Sequence, residues 1–293
     1  MRVHWFLRDY IRPLPGAKAA LSFERLKELG ESAMLADRLA EMAQVYGAII
    51  ADGRADAMDH IRLAVALQLL EKANAENQAR LLAIRTFPDV PGLRVGRAAF
   101  LYDRGDRILF YSVRRARREA LREIDAALRM APDDADVRKQ VLDFFHKREL
   151  FKSVEKHLPE YLKVANDPAY VNNLIGDVAF EAWNPSRAKD SYVATILVDP
   201  RNRHANHMLM RIGASRNPYL WPASLPNRAE LSVLAVTIFA SLVFLILYQV
   251  RALAGIEALL ATALFFSMLI WIGGSKEVIK RRADVQMRKM GVE

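Results

Sequence analysis

His204 and His207 stand three residues apart in a stretch whose pattern predicts a helix, so both imidazoles lie on one face. Such a pair can hold a metal when acidic side chains join it. Otherwise it simply lines a surface, and the lack of joining acids favours that reading. Little else has the spacing of a reactive centre. There is no glycine-rich loop followed by Lys-Ser/Thr, no HExxH and no GxSxG, and Gly92 and Gly96 stand alone. None of the other histidines pairs with an obvious nucleophile. The chain has no cysteine, which removes disulfides, thiolate metal sites and cysteine nucleophiles. The expectation is a protein without catalytic residues, cofactor or metal.

Charge is the second kind of chemistry. Arg114, Arg115, Arg117, Arg118 and Arg122 crowd one predicted helix, and Lys280, Arg281 and Arg282 crowd another. These clusters suit anionic lipid or an acidic partner. The competing reading of the first run is a solvated face partly answered by Glu119 and Glu123. Net charge is +9, most of it carried upstream of Ala229. Nucleic acid could use such a balance, but no nucleic-acid motif accompanies it.

Two uncharged or nearly uncharged stretches follow each other near the C-terminus. Residues 231–250 (LSVLAVTIFASLVFLILYQV) carry no charge, and residues 252–274 carry only Glu257. About 20 apolar residues suffice for a helix to span a bilayer. The expectation is a transmembrane hairpin with a tight turn at Arg251. Basic residues gather before and after it, at Arg211, Arg216 and Arg228 and then from Lys276 to Lys289. Both termini should therefore face the cytoplasm. The start, MRVHWFLRDYIRPLPG, has no apolar core of a signal peptide. Glu257 is expected to snorkel or pair with Arg251. The tail after residue 275 reads as an amphipathic helix containing Ile279, Ala283, Met287 and Met290, or as an exposed continuation of the second span.

Upstream, Pro132, Pro168 and Pro200 recur at nearly even intervals of roughly 34 residues, each after Ala or Asp. The clearest unit, residues 169–202, places Gly176 and Ala188 at small positions and Ile175 and Ala179 at core positions. The unit closing at Pro132 has Ala120, Ile124 and Ala127. The middle unit has Val141, Leu142 and Phe145. Residues 101–213 thereby resemble tetratricopeptide (TPR) repeats, with residues 203–213 as a last first helix. The resemblance implies stacked helix hairpins and a groove lined by first helices, with Gly176 meeting Ala188 where the pair crosses. It implies groove positions at Lys139, Asp143, His146, Lys147, Tyr170, Asn173, Asp177, Phe180, Glu181, His204, His207 and Arg211.

The N-terminal part shows helical periodicity over residues 31–51, with Leu35, Leu39, Met42, Val45, Tyr46 and Ile49 inward. A second long helix is read over residues 58–84, with Ile61, Val65, Leu69 and Leu70 inward. Gly53 ends the first. The ADGR turn resembles that of TerB-type domains, though Ala57 stands where an acid is expected, and Asp52-Gly53 reads as an ordinary helix stop. Pro88 and Pro91 break the second helix. Residues 99–102 and 107–112 suggest a short β-hairpin, or an irregular helix pair.

The fold class expected is all-α: a helical N-terminal region (1–92), TPR-like repeats (93–228), a transmembrane hairpin (229–275) and a basic tail (276–293). The function expected is a membrane-tethered scaffold or adaptor in the bacterial inner membrane, binding partner proteins through its groove. The alternative is an accessory subunit of a membrane transport, secretion or polysaccharide-export machine.

Overall fold

The structure is a computed structural model. It describes residues 5–12, 14, 21–109 and 111–214, and scattered positions between 267 and 285. Among these residues every regular element is a helix: α1 (Phe23–Leu35), α2 (Leu39–Asp52), α3 (Ala57–Leu69), α4 (Ala73–Thr86), α5 (Pro91–Arg104), α6 (Val113–Met130), α7 (Ala135–His146), α8 (Phe151–Leu162), α9 (Pro168–Glu181), α10 (Pro185–Val198) and α11 (Arg203–Ala214). They fall into two compact units, Met1–Leu150 and Phe151–Glu293.

The punctuation of the sequence is capping chemistry. Asp167 accepts a hydrogen bond from the Tyr170 amide, and Pro168 opens α9 where no amide is needed. Asn184 and Pro185 do the same for α10. Ser22, Ser112 and Asp134 cap α1, α6 and α7. Asp56 and Asp59 form a reciprocal capping box at α3.

Both long N-terminal helices of the sequence reading are helix pairs. The first breaks after Leu35 and the second after Leu69. Asp37 (φ 54°) and Glu71 (φ 57°) adopt the left-handed conformation at these breaks, as do Glu149 (φ 55°) and Trp183 (φ 59°) farther on. The four turns share one hydrogen-bond pattern. Arg38 N reaches Ala33 O, Lys72 N reaches Leu67 O, Leu150 N reaches Phe145 O and Asn184 N reaches Ala179 O, all at 2.9 Å. This is a Schellman closure made without glycine. The interval from Asp37 to Glu71 equals that from Glu149 to Trp183, and both match the tetratricopeptide period of about 34 residues. The first helices α1, α3 and α5 begin at the same interval, at Phe23, Ala57 and Pro91. A structural period of this length therefore starts well before residue 93.

The breaks turn the periodic stripe. Leu35, Val65 and Leu69, expected inward, are 85%, 37% and 55% exposed. Met42, Val45, Tyr46, Ile49, Leu63 and Leu67 form the core of the first hairpins. Gly53 (φ 82°) ends α2 as read. Among the described residues of 99–112 there is no β-hairpin: residues 99–102 belong to α5, and Gly105–Arg107 is a 3-10 turn. These residues lengthen the third hairpin instead, and α6 at 18 residues is the longest helix described.

In the second unit α9 and α10 pack closely. A Cβ at Gly176 would lie 2.5 Å from the Tyr192 ring. The aromatic ring, rather than Ala188, is what Gly176 makes room for. Ala188 is fully buried beside it in the same core. Ile279 packs on Ala214 and Met210. Residues 231–250 and Glu257 lie outside the described residues, as do most of residues 252–274. Among the described residues no helix is long and apolar enough to cross a membrane.

Candidate functional site

The first unit encloses a cavity of about 510 Å³. Its walls are α3, α5 and α7, the first helices of successive hairpins, with Arg80 and Ala83 from α4. Ile61, Ala64, Leu93, Val95, Ala99 and Phe144 make it largely apolar. Two glycines on α5, Gly92 and Gly96, keep it open. A Cβ at Gly92 would sit 3.2 Å from Gln140 Oε1, and one at Gly96 3.3 Å from Arg80 Nη1.

Besides Asp103, Gln140 and Asp143, four basic side chains line the cavity. Arg80 is committed elsewhere: it donates to Glu76 Oε1 at 2.8 and 3.0 Å, to Gln68 Oε1 and to the Gly96 carbonyl. Burial raises the pKa of Glu76, and the Arg80 guanidinium opposes this. Arg148 is held by Asp103 and lies over the Phe144 ring. His60 is 2% exposed, and its Nδ1 has no hydrogen-bond partner. Burial lowers its pKa against the opposing pull of Asp59 and Asp56, so the imidazole is neutral near pH 7. Lys147 is exposed at the rim and makes no ion pair among the described residues. A neutral imidazole, one unpaired ammonium and an apolar wall can bind. They contain no nucleophile with its base.

Of the groove residues expected in this unit, Asp143 and Lys147 line the cavity. Lys139 and His146 share helix α7 with them but not the cavity wall. His60, Gly92, Gly96 and Phe144 were missed. His60, Gly92 and Gly96 lie on helices whose place in the repeat becomes clear only from the even intervals between the turns, whereas Phe144 lies on the recognised α7 beside the groove positions read there.

In the second unit the expected groove positions are largely engaged with one another. Asp177 is buried, and its Oδ1 accepts the Tyr192 hydroxyl at 2.6 Å and contacts His204 Nε2 at 2.7 Å. Burial first, and then the Asp177 carboxylate, push the Tyr192 pKa far up. Phe180 is a core residue, 4% exposed, with Arg211 stacked 4.9 Å over its ring. Asn173 donates to Asn202 Oδ1 at 3.3 Å, the same oxygen that caps α11 through the Ala205 amide. Tyr170 stacks edge-on with Tyr161 at 5.6 Å. Asp177, Phe180 and Asn173 thus hold the hairpin together rather than lining a solvated surface. His204 faces Asp177, and among the described residues no group of three potential ligands includes it or His207.

The arginine run stands on α6 as expected, but its supposed counter-charges do not answer it. Glu119 and Glu123 turn to α5, where both pair with the buried Arg97. Arg94 adds a 2.9 Å bond to Glu123, and the Tyr111 hydroxyl a 3.1 Å bond to Glu119. Lys280, Arg281 and Arg282 are exposed, and Arg281 pairs with Glu277 at 3.1 Å.

No protein-family model and no curated protein matches the chain. Among solved structures it is similar to a thermophilic TPR protein of Thermus thermophilus, with 14% identity and a TM-score of 0.48 over 65% of this chain and 98% of that one. It is also similar to the C-terminal part of a TPR repeat-containing protein from Cytophaga hutchinsonii, with 15% identity and a TM-score of 0.47 over 67% and 72%. The repeat in the present chain is visible in its own turns.

Proposed function

We propose that this chain is a TPR-like adaptor, held at the bacterial inner membrane by residues 231–274, that captures a segment of a partner protein on its first-helix face. The cavity between α3, α5 and α7 carries the reading. An apolar wall suits a partner's apolar side chain, and the Lys147 ammonium suits a carboxylate beside it. The neutral His60 offers a hydrogen bond that no protein group now takes. The tether rests on the two apolar stretches, which hold Glu257 as their one acid, and on basic flanks that favour both termini in the cytoplasm.

The test is capture from a detergent extract by the tagged full chain. Gly92→Leu fills the cavity and Lys147→Ala removes the free charge. The double variant should lose its partners while keeping the helical content of the parent. Undiminished capture would move the binding surface elsewhere. Reporter fusions at residues 1 and 293 test the tether separately, and opposite locations of the two ends would rule out the hairpin.

A further inference from the structure

The third hairpin departs from the repeat in three ways at once. Among the described residues it shows no left-handed closing turn, it carries the extra segment from Gly105 to Ser112, and its second helix is the longest described. That helix, α6, also carries the exposed arginines. Arg114, Arg118 and Arg122 recur at every fourth residue and so share one face, and Arg115 and Arg129 lie beside them. The opposite face, Ala116, Ala120, Ile124 and Ala127, is buried. Since Arg97 and Arg94 hold Glu119 and Glu123, none of these five arginines has an ion pair among the described residues. Asp125 is the one carboxylate of α6 on the arginine face.

We infer that the outer face of α6 rests on an anionic lipid surface. Two observations favour a bilayer over an acidic protein or a nucleic acid. First, the arginines are bordered by an exposed apolar side chain, Leu121 (41% exposed), on the same helix. Phosphate backbones have no use for such a residue, whereas the headgroup boundary takes both. Second, the chain carries residues 231–274, which keep it beside lipid under the tethered reading on which this inference rests. From Arg114 to Arg129 the helix presents a line of charge about 22 Å long. Guanidiniums near an anionic leaflet each add to the attraction, and salt weakens it.

The absence of cysteine makes the test direct. The full chain with Leu121→Cys accepts a single polarity-sensitive fluorophore. It is reconstituted into phosphatidylcholine vesicles with and without phosphatidylglycerol, each containing a lipid-borne quencher. Quenching should appear only with phosphatidylglycerol and vanish in high salt. It should also vanish in the background Arg114→Gln, Arg118→Gln, Arg122→Gln, where lipid affinity falls on the order of a hundredfold. Equal quenching in both lipids, or none in either, overturns the inference. So does a fluorophore that ignores vesicles but responds to polyglutamate or to oligo(dT), which would assign the face to an acidic protein or a nucleic acid. Alkaline carbonate extraction of the same vesicles reports the tether independently. A chain that washes off refutes the hairpin, while phosphatidylglycerol-dependent quenching would still stand for α6.

Discussion

The first and fifth hairpins repeat one contact with opposite outcomes. In each, a glycine seven positions before the left-handed turn meets a tyrosine nine positions after it. Gly30 faces Tyr46, and Gly176 faces Tyr192. Both tyrosines are fully buried. The Tyr192 hydroxyl donates to Asp177, which also meets His204 of the next helix. The Tyr46 hydroxyl makes no hydrogen bond of normal geometry, and the Arg62 guanidinium near it lies 5.4 Å over its ring instead. The steric half of the contact builds a helix pair, and the polar half is what links one pair to the next. The period alone does not decide whether that second half is present.

The comparison breaks most visibly at the glycines. Gly176→Leu should lower the melting temperature sharply, by an overpacking cost of about 3 kcal/mol or more, because even a methyl would lie 2.5 Å from the Tyr192 ring. At Gly30 the nearest approach is 2.9 Å. Gly30→Ala should therefore be far milder than Gly176→Ala, and the helical gain of alanine partly offsets it. Equal melting of the two alanine variants would dissolve the distinction.

The hydroxyls sharpen it. Tyr192→Phe takes a donor from a buried carboxylate and should cost about 1–3 kcal/mol in chemical denaturation. Tyr46→Phe removes a hydroxyl without a hydrogen bond of normal geometry and should be neutral or stabilising. A matching loss in both would mean that Tyr46 has found a partner in solution.

The smallest effect is a pH slope. His60 has a folded pKa below its unfolded value, so the unfolded chain binds the extra proton. Its contribution is present above the ordinary histidine pKa and is lost as the pH falls through and below it. Glu76, raised by burial, acts in the opposite direction above the ordinary carboxylate range. Melting curves of wild type and His60→Phe between pH 7.5 and 5.5 (a span set about the unperturbed histidine value of roughly 6.5) isolate the first term. The variant should lose less stability on acidification, and parallel curves would show that His60 takes up no proton cost.

The fifth hairpin was legible because its signals are local. Gly176, Ala188 and the Asp167-Pro168 cap sit where the period places them. The first two hairpins were not, because Asp37 and Glu71 turn the chain without glycine or proline. Apolar periodicity ran unbroken across both turns and read as two long helices. The cavity depends on that same missed register, since His60 and Gly92 belong to helices α3 and α5. The arginine run was legible as composition. That Glu119 and Glu123 face Arg97 could not be read, because the pairing spans two helices.

Almost every close pairing among the first seven helices joins neighbours in sequence. One reaches farthest: the short turn Trp5–Leu7 lies against α4, in the second hairpin, and Leu7 is buried in the shared core. Chains stitched only to their neighbours unravel from an end, one hairpin at a time. The Trp5–Leu7 turn is a clasp across that seam. Pulled from its start, the molecule should resist until the clasp lets go, and then yield its first two hairpins together.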